Sequence, residues 1–578
     1  MSGSEKRASD AGQSLPSEPL SRRRFLGGVG GAAVALTVGA AKSGEPSPPE
    51  TEAIDLAEAA RQSPQMAQAV ARRERAYQLR VQTAKTHRNK PMVLHTSNGD
   101  ETRYANWIGN YSKGLPHNSF GEVDPDAYAG LLKAAETGDP ADFAAIRTSG
   151  GRRLTNPMGG LAFDLEGMDA WDITAPPAPA LASAEEAAEG VELYWMSQLR
   201  DVNFLEYSAD HPDVSAALDD LNALSNYKAA KINGKVTAAT LFRDPLPGCL
   251  EGPYISQFLW LPTPFGAEYV DRRIQTQLPG SDHMTRYSDW LEVQNGFGSV
   301  FQLPDPVRRH IRNGRDLGEW VHIDVLFQAY FTACLILGTP QNIFDEETDG
   351  GIGAPYNPGN PYLALRNQAG FTCWGGPHIK TLVCEVATRA LKATWHQKWQ
   401  VHRRLRPEEF AGRVHHQVTS NRYPGALHRD VLESKVVDRL LSANGTALMP
   451  MAFPEGSPTH PSYTAGHATV AGACVTILKW FYDERFIINQ PVMPTPDGLA
   501  LQPYQGAPLT VGGELNKLAS NVATGRNISG VHWRSDAMNS LRLGEELAIS
   551  ILRDQRSLFP ESYSGSTFTR FDGTKITV

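Results

Sequence analysis

The stretch Pro377–Pro407, PHIKTLVCEVATRALKATWHQKWQVHRRLRP, decides the fold class. Its apolar spacing predicts one long helix stopped by Pro407. On such a helix Lys398, His402 and Arg406 fall at i, i+4 and i+8, along one side. Taken alone, a run of this kind is a solvated basic face. Here Ala and Trp surround it in VATRALKATW, which makes the helix central, and buried cations need an anion.

Working outward, further helices are predicted over Ile54–Arg88 (one helix or a pair broken near Pro64), from Ser183 towards Phe204, over His310–Gly338, from Thr464, and over Ser535–Gln555. Strand signals are few and no repeat is evident, so the fold class is mainly α, a helical bundle. The divisions expected are a signal region 1–41, a linker 42–52, an N-terminal helical and irregular region 53–190, a bundle domain with the anion site 191–560, and a tail 561–578. The Gly/Pro/Asn-rich segment 339–376 is too long for a plain connection and is expected to be a lid or pocket wall.

With 578 residues and a net charge of −8, the chain is unsuited to nucleic acid as a main partner. Five cysteines without a C-x-x-C pair point to free, mostly buried thiols. Near the start, SRRRFLGGVGGAAVALTVGAA (residues 21–41) has the arginines, weak hydrophobicity and small residues of a twin-arginine export signal. It is too short and too Gly/Ala-rich for a stable membrane anchor. Export through the twin-arginine route is the expectation.

Two more segments carry chemistry. In SPTHPSYTAGHATVAGACVTILKW (residues 457–480), Thr464 is a plausible N-cap, and Ala465, Gly466 and His467 would fill the first helical turn. Free amides there, with the helix dipole, suit an oxyanion. Gly466 admits close approach, His467 is a candidate acid–base group, and His460 lies seven residues earlier. In NVATGRNISGVHWRSDA (residues 521–537), Arg526 and His532 flank a Ser-Gly kink between two helices. Asp536 can accept the proton of one His532 nitrogen and leave the other facing the site. Each pattern alone has an ordinary structural reading: a capped helix with a core histidine, or a surface ion network. Together, three cations (Lys398, Arg406, Arg526), the Gly466 turn and one imidazole suit a tetrahedral oxyanion, phosphate or vanadate.

The pattern Lys398…Arg406-Pro407, Ala465-Gly466-His467 and Arg526…His532…Asp536 resembles the vanadium-dependent haloperoxidases, and more distantly the membrane-type (PAP2) acid phosphatases. With RNGRDLGEWVHIDVLFQAY and HRRLRPEEF, the resemblance spans roughly residues 300–545 and is close to the bromoperoxidase branch. It implies a helical bundle that holds vanadate. His532 would be the apical vanadium ligand, and Lys398, Arg406, Arg526 and the Gly466 amide would hold the equatorial oxygens. His467 would be the acid–base group and His460 a catalytic neighbour near peroxide or halide, with Asp536 and His402 behind them. Hydrogen peroxide, halide and an electron-rich organic substrate would be the small-molecule partners, and a homodimer is expected.

One position departs from the family pattern: Ala465 stands where the family has Ser, and Thr464 where it has Pro. A lost charge-assisted hydrogen bond costs about 1.5–3 kcal/mol. That opens a second reading, since some actinomycete members of the family have lost halide oxidation. They catalyse a cofactor-independent α-hydroxyketone rearrangement, a 1,2-prenyl shift, in naphthoquinone meroterpenoid biosynthesis. A phosphatase is a third reading, with phosphate in the anion site or a phosphohistidine at His532.

Overall fold

In the computed structural model, residues 55, 58, 61–298, 301–340 and 351–578 are described. The expected signal region and linker lie outside the described residues. Helix α1 (Pro64–Arg88) begins at the proline that was expected to interrupt it, and none of its residues is buried.

Residues Tyr77–Val578 form one unit. Among the described residues its strands make three two-stranded antiparallel hairpins: β1 (Thr263–Phe265) with β2 (Glu268–Val270), β3 (Val492–Pro494) with β4 (Leu501–Pro503), and β5 (Thr567–Thr569) with β6 (Lys575–Thr577). Helices make the rest of the frame. Those that matter here are α2 (Ala184–Gln198), α3 (Gly314–Trp320), α4 (Gln328–Gly338), α5 (Gly376–His396), α6 (Pro407–Ser420), α7 (Gly466–Phe481), α8 (Val511–Ile528) and α9 (Arg534–Arg556).

Helix α7 is the axis of the bundle, and every residue of it except His467 is buried. It packs on α5, α8 and α9. Its small residues explain how. A Cβ on Gly472 would stand 2.0 Å from the Leu541 carbonyl oxygen, and one on Gly544 would stand 1.9 Å from that of Thr469. Backbone therefore meets backbone across α7 and α9, and only glycine fits at the two crossing points.

Four local expectations fail, each for a physical reason. The helix of Pro377–Pro407 ends at His396, continues as a π-helical turn (Gln397–His402), and breaks at Arg403, whose φ is +40°. Glu101 holds that arginine with two bonds of 2.7 and 2.6 Å. Pro407 does not stop this helix but opens α6, since a proline at the first helical position loses no hydrogen bond. The single helix expected over His310–Gly338 is α3 and α4 with an irregular corner between them. At that corner His322 and Asp324 bond to Glu455 and His467, so tertiary partners override local propensity. The N-cap of α7 is Ala465, not Thr464, whose hydroxyl donates instead to Thr394 Oγ1 at 3.3 Å.

The segment 351–375 attaches to the far end of α7. Asn357 N–H bonds the Phe481 carbonyl at 2.8 Å, and Ile352 bonds that of Ile336. A 16-residue helix is about 24 Å long, so this part of the expected lid lies a helix length from Gly466. Residues 341–350 lie outside the described ones. The boundary expected at 190/191 falls inside α2, and the expected tail contains the β5–β6 hairpin, with Phe568, Phe571 and Val578 buried. All five cysteines are free, three of them buried.

Candidate functional site

Three chain segments meet at Arg406, the residue just before α6. Its backbone is extended, and its N–H is held by Glu409 at 2.7 Å. The guanidinium donates to the carbonyls of His460 (Nε, 3.0 Å) and Val531 (Nη1, 2.6 Å). It also reaches two imidazoles: Nη1 to His532 Nε2 at 3.1 Å and Nη2 to His460 Nδ1 at 2.9 Å. Arg406 thus straps the Pro-rich loop to the turn between α8 and α9. This contact is made by a residue outside any helix, so the helical spacing of Lys398 and Arg406 is not what joins them.

Lys398, on the π-helical turn, donates to the Pro461 and Ser462 carbonyls at 2.6 and 2.7 Å and lies over the Trp395 ring. An ammonium has three donors, so one is left for a ligand. Burial and the neighbouring Arg406 push Lys398 well below its ordinary pKa. Arg526, in the last turn of α8, donates to the Val321 carbonyl at 2.8 Å, its Nε has no partner, and burial pulls it down to about 10. None of these three cations makes an ion pair among the described residues. Their positive charge favours an anion at the point they share.

His532 lies between α8 and α9. Its Nδ1 is 2.8 Å from Asp536 Oδ2, and a carboxylate accepts only, so Nδ1 carries the proton and Nε2 keeps its lone pair. Burial and the three cations keep the ring neutral. His460 is held neutral the same way, with Lys398 and Arg406 beside it and its ring tilted on Trp395.

At the N-terminus of α7, Ala465 is buried and offers no side-chain cap; its own N–H donates to Ser540 Oγ at 2.8 Å. His467, half-buried, has Nε2 3.1 Å from Asp324 Oδ1. A Cβ on Gly466 would meet Leu391 and Trp395 at an ordinary 3.5 Å, so protein packing does not require glycine there. His402 is the outlier of the expected set. Its ring packs edge-on against Tyr463, and neither nitrogen has a partner among the described residues.

Sequence reasoning missed two supports. Asp324 sits in what reads as an apolar helix, and its one visible signal is an acid inside that run. Arg404 donates to Asp536 Oδ1 at 2.7 Å and to Glu189 at 3.2 Å, and pairs with Glu186, both on α2. It therefore fixes the carboxylate that fixes His532. The signal was the buried acid series Glu186, Glu189 and Glu192, which demands cations. The N-terminal region contributes too: Lys113 bonds Glu408 and the Ser457 carbonyl, both at 2.6 Å, and Thr155 N–H bonds the Thr459 carbonyl at 2.8 Å.

Comparison with known proteins agrees with this geometry. The family described as the VCPO second helical-bundle domain matches residues 379–561. The vanadium-dependent bromoperoxidase of Corallina pilulifera is 36% identical, covering 88% of this chain and 98% of its own. That of Ascophyllum nodosum is 34% identical, over 87% and 92%. The solved homohexameric structure of the second vanadate-dependent bromoperoxidase of Ascophyllum nodosum superposes with a TM-score of 0.80 at 30% identity, over 87% of this chain and 90% of that one. Sequence, fold and the converging cations together lead to one assignment: the chain belongs to the vanadium-dependent haloperoxidase family.

Proposed function

We propose that the protein is a vanadate-dependent haloperoxidase that uses hydrogen peroxide to oxidise halide and so halogenates an electron-rich organic substrate. The observation that carries this reading is the Arg406 junction, where buried cations that make no ion pair among the described residues surround a histidine whose proton is committed to Asp536. This donor set fits vanadate. Lys398, Arg406, Arg526 and the Gly466 amide would hold its oxygens, and His532 Nε2 would be the ligand to vanadium. When bound, vanadate supplies Lewis acidity that activates peroxide towards halide without a change in its own oxidation state.

The chain's residues do the rest. The cations, all buried, would neutralise the oxyanion. Asp536 keeps the His532 proton on Nδ1, so that Nε2 can exchange its Arg406 contact for the ligand. His467, held by Asp324, would be the acid–base group that moves protons to and from peroxide oxygen. His460, neutral and packed on Trp395, would lie near peroxide or halide.

Reconstitution with orthovanadate, followed by bromination of monochlorodimedone with peroxide and bromide, tests the reading. Activity that His532→Ala abolishes is expected. No bromination at saturating vanadate would overturn it in favour of the rearrangement reading, for which the missing hydroxyl at Ala465 is the motive. Hydrolysis of p-nitrophenyl phosphate would instead mark the phosphatase reading. We further infer export through the twin-arginine route and self-association into a homodimer or a multiple of it, to be read from fractionation and light scattering.

A further inference from the structure

Away from the cage, a cavity of about 840 Å³ is lined by β2, β3, β4 and the segment carrying His310. None of the cage residues lines it. One of its residues, Arg272, is 6% exposed, and its one side-chain hydrogen bond among the described residues goes from Nη2 to the Phe258 carbonyl at 3.4 Å. Its Nε has no partner, and it makes no ion pair among the described residues. The acid next to it is already committed: Asp271 accepts from Arg273 Nε and Nη2 on Oδ2, at 2.9 and 2.7 Å, and from Nε on Oδ1 at 3.1 Å. His310, also on the wall, is buried with Nδ1 unpartnered, and burial lowers it to about 4, so it adds no charge at neutral pH. Desolvation pulls Arg272 itself down to about 10. A buried guanidinium without a carboxylate is costly unless an anion reaches it. The lining also holds apolar surface from Leu261, Val492, Leu499 and Leu501, beside Tyr504. The volume lies in the range of sites that take small organic molecules.

We propose that this cavity is a second anion site, distinct from the cage, that binds an organic oxyanion: a carboxylate or sulfonate head against Arg272, with a flat apolar body along Leu499, Leu501 and Tyr504. The probes are 2-naphthoate and its uncharged counterpart 2-naphthamide, titrated calorimetrically into the full-length protein. Naphthoate is expected to bind, at least tenfold more tightly than naphthamide. Arg272→Gln should weaken it at least tenfold, and Arg526→Gln in the cage should leave it unchanged. Leu499→Trp, at a partly exposed position on the wall, should weaken both probes by filling the space, and it tests the site even if Arg272→Gln does not fold. The proposal is overturned if naphthoate does not bind at millimolar concentration. It is equally overturned if naphthamide binds as tightly, or if binding survives Arg272→Gln and Leu499→Trp but is lost in Arg526→Gln. A change of oligomeric state on Arg272→Gln without probe binding would assign the guanidinium to a subunit contact, and would overturn it too.

Discussion

Arg404 and Arg406 are two residues apart and equally buried, yet they live in opposite electrostatic worlds. Arg404 has three carboxylates around it, Glu186, Glu189 and Asp536, and stacks on Trp533. Arg534, two residues after His532, is likewise paired with Glu192 and Asp244. Among the described residues, the side chains of Arg406 and its companions Lys398 and Arg526 hydrogen-bond only to carbonyls and imidazoles. Saturated cations hold the frame, while unsaturated ones wait for a ligand. The chain separates the two by having residues 404 and 406 diverge after the left-handed Arg403.

The largest expected effect follows from that contrast. Arg404→Ala leaves buried carboxylates without their cation and should cost about 3–5 kcal/mol of stability, read as a lower urea midpoint. Arg406→Ala removes no ion pair, so its main loss should be vanadate affinity, read by equilibrium dialysis. Equal stability losses in the two variants would erase the distinction.

Next in size is the link between the regions. Asp536 touches both, accepting from Arg404 on one oxygen and from His532 on the other. Asp536→Asn keeps the shape but weakens control of the imidazole proton. Vanadate affinity should fall about 10- to 100-fold. A change in stability alone, with affinity intact, would place Asp536 wholly in the frame.

The frame has its own pH signature. Burial raises Glu186 to about 8 and Glu189 to about 7, against an ordinary carboxyl value of 4.5. Between these limits the folded protein holds protons that the unfolded chain has released. Stability therefore falls as pH rises: the penalty is absent below about 4 and complete above about 8. The urea midpoint should drop between pH 5 and 8, and Glu186→Gln should flatten that slope. A midpoint that rises over this interval would contradict the picture.

How much of this was legible in the sequence divides along the same line. The cage candidates Lys398, Arg406, Arg526, His532 and Asp536 were readable because they belong to motifs. Helix content was readable from periodicity. The breaks were not, because what bends the chain at Arg403 is Glu101, and what bends it at 321–327 is Glu455 and His467, all distant in sequence. The i, i+8 spacing of Lys398 and Arg406 was a coincidence of numbering, since Pro407 begins a helix. Arg404 was invisible as a support because two of its three partners are supplied by α2, more than two hundred residues earlier, and the third by α9.

The smallest effect concerns Ala465, where frame and cage share a backbone. As the N-cap of α7 it offers no oxygen to the first turn, although a serine there has two possible targets. If the hydroxyl turns to the backbone amide two or three residues on, Ala465→Ser adds about 0.5–2 kcal/mol of stability and leaves the ligand alone. If it turns to the bound oxyanion, affinity for vanadate rises about tenfold, the lower end of what one charge-assisted hydrogen bond gives. The free amides, the Lys398 donor and the unpartnered Arg526 Nε set the electrostatic pull towards the second outcome. Tighter vanadate binding with an unchanged melting temperature is therefore expected. A higher melting temperature with unchanged binding would show that this position serves the helix and not the cage.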